Sequence, residues 1–143
     1  MITQVCAAFI GSLGFAVFFK MRGKQIILAG IGGGLTWWIF LLLEPILGGL
    51  FLPNLVAAIF VGVYAEVMAR VNYAPATIFL TSGAVPLIPG GSLYYTMLGL
   101  VANDYEMFWQ NGRKALIIAL AIALGFVCVA ITNNLYVKLK SHK

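Results

Sequence analysis

Charge is scarce in this sequence: nine Lys and Arg and four Asp and Glu among 143 residues, 9% of the chain. Soluble domains carry about a quarter charged residues, so a water-covered globule is excluded. Histidine is rarer still, with one copy, His142, in the tail. No nucleophile–base pair and no metal-ligand cluster can be read, so neither an enzyme nor a cofactor or metal site is expected. Cysteine is limited to Cys6 and Cys128, each inside an apolar stretch and without metal-ligand spacing, which predicts two buried free thiols. The first apolar stretch has no basic region before it, and "KMRGK" follows where a small-residue cleavage site would stand, so it reads as a retained span and not a signal peptide. No linker or low-complexity segment interrupts the chain, and residues 1–143 read as a single integral-membrane domain.

What is present is apolar. Hydrophobic residues make up 62% of the chain and mean hydropathy is +1.01. Five stretches carry no Asp, Glu, Lys or Arg: 1–19, 25–43, 45–65, 71–103 and 115–137. A helix rises about 1.5 Å per residue and a bilayer core is about 30 Å thick, so about 20 apolar residues span it. The chain therefore reads as an all-α polytopic membrane protein of about five transmembrane helices. The formal charge of +5 sits at the ends of the apolar stretches, where it reports topology and not nucleic-acid binding.

The fourth stretch, 33 residues long, is too long for one straight crossing and too short for two with a turn. It contains "PLIPGGS", residues 86–92, so it either makes one broken crossing or dips in and returns. With one crossing, seven Lys and Arg fall inside and two outside; with a re-entrant segment, six and three. The positive-inside rule favours five crossings, N-terminus outside and C-terminus cytoplasmic. Glu44 is then expected in an outer loop over 44–53, with Trp37 and Trp38 in an aromatic belt at the outer end of the second span.

Pro86 and Pro89 each remove an amide and displace the carbonyl four residues earlier. Gly90 and Gly91 tolerate unusual backbone angles, and Ser92 is suited to cap a second half-helix. Unpaired peptide groups cannot face lipid, so this break must face protein or water. Half-helix N-termini near the bilayer midplane hold anionic groups in many secondary transporters. Pro86, Pro89, Gly90, Gly91, Ser92 and Tyr94, with the Ser82 hydroxyl on the first half, are therefore the candidate substrate-binding residues for a small anionic or zwitterionic solute. The alternative is a proline kink that only shapes the bundle.

Glu66 is an acid inside the third span, and Arg70 lies one turn on, along the same helical face. The two read either as a structural ion pair or as coupling residues. Gly30 and Gly34, Ala58 and Gly62, and Ala121 and Gly125 are spaced for close helix packing. Thr132, Asn133 and Asn134 are expected to make interhelical hydrogen bonds or to take interface positions, where a partner subunit could meet them.

The stretch "PATIFLTSGAVPLIPGGSLYYTM", together with the "GFAVFFKMRGK" hairpin and the basic tail, resembles the C-terminal membrane half of the threonine/serine exporter family. The likeness is greatest to the stand-alone small subunit of its split, two-component members, on Pro75, Pro86, Pro89, Gly90, Ser92, Tyr94 and Met97. The resemblance implies export of small carboxylate-bearing solutes, threonine and serine or a dicarboxylate such as succinate, across a bacterial cytoplasmic (inner) membrane. It also implies a larger membrane subunit of the same family as partner, and homo- or hetero-oligomers in the bilayer. A structural scaffold whose partner holds the transport site, and an oligomeric channel, are the alternatives of other classes.

Overall fold

The computed structural model describes residues 1–141; His142 and Lys143, counted above with the tail, lie outside the described residues. Among the described residues there is no strand. Six α-helices follow one another: α1 (Ile2–Phe18), α2 (Lys24–Leu47), α3 (Phe51–Asn72), α4 (Ala76–Ala84), α5 (Gly90–Val101) and α6 (Tyr105–Ser141). A 3₁₀ turn, Val85–Leu87, separates α4 from α5. By length and composition α2, α3 and α6 can each cross a membrane, and α4 with α5 makes a fourth span if the bent pair is one crossing. α1, at 17 residues, is the shortest of the apolar candidates and lies at the lower limit for a crossing.

The bundle interior is built from small side chains. Ala16, Ala29, Ala57, Ala58, Ala65 and Ala121 are buried, while Ile27, Val63, Val67, Leu120 and Leu124 point outward. Lipid solvates Leu as well as a core would, so helix association depends on van der Waals contact and close backbone approach. The predicted small-residue pairs make these contacts. A methyl placed on Gly125 would lie 2.6 Å from Ala58 Cβ, one on Gly62 2.9 Å from Val129, and one on Gly30 2.7 Å from Leu13. The tightest approach joins α1 to α2, where a methyl on Gly33 would stand 1.8 Å from Ser12 Oγ. Hydroxyls are mostly satisfied within their own helix, as Thr36 donates to the Gly32 carbonyl (2.7 Å) and Thr132 to that of Cys128 (2.8 Å). Tyr64 ties α3 to α2 by donating to the Leu28 carbonyl at 2.7 Å.

Contacts that set helix direction decide the topology of the broken segment. Ala58 meets Gly125, Gly62 meets Val129, and Arg70 meets Asn133, so α3 and α6 run parallel. The chain must therefore return once between them. A re-entrant α4–α5 would have left α6 antiparallel to α3. Phe79 packs beside Ala65 and Ala69, and Leu87 beside Ala57 and Ala58, so α4 and the 3₁₀ turn make that return along α3.

Three expectations need correction. α2 continues past Glu44 and through Pro45 to Leu47, although Pro45 has no N–H to bond back to the carbonyl of residue 41. Glu44 thus lies in a helix, and only residues 48–50 form the loop. Trp37 lies mid-helix, stacked on Phe40 at 4.9 Å against the interior, and only Trp38 faces out. Cys6 and Cys128 are free but exposed, on the outward faces of α1 and α6.

Candidate functional site

The break begins where Pro86 forbids continuation of α4. Val85–Leu87 tighten into a 3₁₀ turn closed by the Ile88 amide on the Val85 carbonyl at 3.2 Å. Ile88 is extended (φ −61°, ψ 125°), as a residue before proline tends to be. Pro89 then takes φ −76° and ψ 54°, and the Gly90 amide donates back to the Ile88 carbonyl at 2.7 Å. This is an inverse γ-turn. It starts α5 at Gly90, with Pro89 as its cap, and the axis turns by 57°.

Ser92 is therefore not the cap. The γ-turn brings the helix start forward, so Ser92 is the third helical residue and makes no capping hydrogen bond. Within the first turn the Gly90 amide is taken by the γ-turn, and the Leu93 amide reaches the Pro89 carbonyl at 3.0 Å. The amides of Gly91 and Ser92 have no carbonyl of their own helix before them. Open space lies beside both glycines, where an added methyl would meet nothing within 4 Å. Tyr94, exposed, stands edge-on to Tyr95 at 5.3 Å.

Not every predicted residue converges here. Gly90, Gly91, Ser92 and Tyr94 share the open start of α5, while Pro86 is half-buried against the bundle. Ser82 is fully buried, and its hydroxyl lies 3.8 Å from Met21 Sδ, so it does not reach the break. Helical spacing puts it with Phe79 and Gly83 on the buried face of α4.

A second group of polar residues lines a groove between α3 and α6. Its cavity, about 430 Å³, is bordered by Glu66, Arg70, Cys128, Thr132, Asn133 and Tyr136 among aliphatic side chains. The ion pair suggested by the spacing of Glu66 and Arg70 does not form. Arg70 Nη2 donates instead to Asn133 Oδ1, and the guanidinium lies over the Tyr136 ring, 5.4 Å from its centre. Asn133 thereby makes the interhelical hydrogen bond expected of its group. Tyr136 was missed; its position four after Thr132 and three after Asn133, on the face that meets Arg70, was the available signal. Glu66 also borders a narrower cavity of about 70 Å³, toward Ala76, Leu80 and Phe126.

Among the described residues no three His, Cys, Asp or Glu side chains gather as a metal site. A family model described as "Threonine/Serine exporter, ThrE" matches residues 4–132. No curated protein and no solved structure matches the chain.

Proposed function

The chain belongs to the threonine/serine exporter family, and from that premise we propose that it is the membrane subunit of a secondary transporter that exports small carboxylate-bearing solutes. The substrates are threonine and serine or a dicarboxylate such as succinate. Its site is the start of α5, where Gly91 and Ser92 offer amides to a carboxylate and Tyr94 stands beside them. The observation that carries this reading is the broken return segment, which ends in two unclaimed amides beside open space. Aligned amides at a helix start favour a negative charge through hydrogen bonding and the helix dipole together. Glu66, half-buried, and Arg70, exposed, make no ion pair with each other and are the coupling candidates.

The membrane is the bacterial inner membrane, with the N-terminus outside and the C-terminus cytoplasmic. Support comes from the distribution of Lys and Arg and from the parallel run of α3 and α6. The chain works with a larger membrane subunit of the same family. Two observations support a partner. α6 is 37 residues long, about 55 Å, well beyond a bilayer core. Because Ala58 is level with Gly125, residues 105–117 of α6 extend about 20 Å past the start of α3. α5 packs back along that extension, with Gly99 against Phe108 and Thr96 against Gly112. The outer face of this hairpin, including Tyr94, Met97 and Val101, is exposed. An apolar face beyond the span has no lipid to cover it, and a protein partner suits it.

Flux in proteoliposomes tests the reading, with serine and succinate compared with and without the larger subunit. Gly91→Leu fits the fold, since nothing crowds that position, yet it fills the space before the amides. Flux is expected to be abolished while membrane insertion persists. Wild-type flux in Gly91→Leu would remove the site from α5 and leave the scaffold reading.

A further inference from the structure

We propose that the groove between α3 and α6 is a separate binding station for a zwitterion, in which Arg70 and Asn133 take an α-carboxylate and Glu66 takes the neighbouring ammonium. It goes beyond the α5 site and rests on the exporter reading only for the side of the membrane to which it opens.

Two opposite charges one helical turn apart would ordinarily pair. Here they do not. Asn133 and Tyr136 hold the guanidinium toward α6, using one of its five N–H groups and leaving the rest of the fork able to take a carboxylate. Glu66 is half-buried and, among the described residues, has neither a hydrogen bond nor an ion pair. A carboxylate in such a place is costly unless a donor reaches it. Both groups border the same cavity of about 430 Å³, within the range of small-ligand sites.

The arrangement selects a ligand class. An α-amino acid places its ammonium and carboxylate one carbon apart and meets both groups at once. A hydroxy acid offers Glu66 only a neutral hydroxyl in place of a charged ammonium, and a dicarboxylate sets a second negative charge against it. The remaining wall is aliphatic: Ile59, Val63, Val67 and Val129. Thr132 donates to the Cys128 carbonyl, and its oxygen can still accept from a ligand.

Position also matters. Arg70 lies two residues before the end of α3 and Glu66 six, so the charges sit about 3 and 9 Å from that end. That end of α3 is the one proposed as cytoplasmic. The break is at the opposite side of the bundle, since Leu87 packs beside Ala57, about 13 Å further along α3. The groove is thus placed to load a solute that the α5 site later receives.

Binding to the purified full chain in nanodiscs tests this without transport. The probes are L-serine, serinamide (which lacks the carboxylate), glycerate (which lacks the ammonium) and succinate. Measured on the Gly91→Leu chain, in which the α5 site is filled, the groove is expected to bind serine, to bind serinamide and glycerate at least tenfold more weakly, and to reject succinate. Glu66→Gln should erase the preference for serine over glycerate, and Arg70→Gln that over serinamide. Both charge variants are made in this Gly91→Leu parent, so that the α5 site adds nothing to the binding that is read. The proposal is overturned if both charge variants bind serine within twofold of that parent, if succinate competes equally, or if no probe binds. If a charge variant fails to fold, the ranking of the four probes on the Gly91→Leu parent decides alone. Serine flux in the wild-type chain, with unaltered binding in both charge variants, would keep the exporter and discard the groove.

Discussion

Ser12 and Gly33 show how much a single small side chain controls in this bundle. Ser12 is fully buried in α1, and its hydroxyl is the one buried side-chain polar atom among the described residues without a hydrogen bond. An unsatisfied buried hydroxyl costs about 1–3 kcal/mol. Ser12→Ala is therefore expected to hold or raise the melting temperature in detergent, and a fall of several degrees would show that the hydroxyl has a partner. Gly33→Ala should do the opposite, because its methyl would sit 1.8 Å from Ser12 Oγ and 2.6 Å from Ser12 Cβ. Overpacking costs about 1–3 kcal/mol, so the variant should melt lower. At this scale the small residues were legible, since spacing by four places them on one helix face. The inward turn of Ser82 and Trp37 and the outward turn of both cysteines were not. Those depend on which face of a uniformly apolar helix meets its neighbours, and such helices carry little amphipathic signal.

Among the elements, α5 is the most informative, because its start and its packing are set by different residues. Two prolines and two glycines made the break itself visible in the sequence. The position of the cap was not, because an inverse γ-turn at Pro89 absorbs the Gly90 amide and starts the helix before Ser92 is reached. Ser92→Ala should accordingly leave the melting temperature within about a degree, as no cap is lost, while flux falls moderately through loss of the hydroxyl beside the amides. An equal loss of stability and flux would restore Ser92 to a capping role. The hairpin of α5 with α6 can be checked directly. Asp104 caps α6 by accepting from the Met107 amide at 3.0 Å, and a methyl on Gly112 would lie 3.5 Å from Thr96 Cγ2. In a background without Cys6 and Cys128, Thr96→Cys with Gly112→Cys should form an intrachain disulfide on mild oxidation, read as loss of two free thiols. Persistent free thiols would mean that α5 leaves α6.

For the whole molecule, direction of travel is the property on which the other readings depend. The sequence counted crossings from charge alone, and the margin between one return and a re-entrant dip was small. Contact pairs that advance together along α3 and α6 remove that ambiguity, because parallel neighbours require an odd number of crossings between them. The same geometry lifts the α5–α6 hairpin beyond the start of α3 and leaves its apolar face uncovered, which composition could not foretell. The prediction at this scale concerns that face. Val101, near the hairpin tip, is 80% exposed, so Val101→Glu should insert in the membrane and melt like wild type. If the hairpin is where the larger subunit docks, the charge meets an apolar partner surface and must be desolvated there. Recovery of the larger subunit with the tagged variant should then drop at least tenfold, and coupled flux with it. Unchanged recovery would free the hairpin of that role and leave the partner to bind along the lipid-facing sides of the spans.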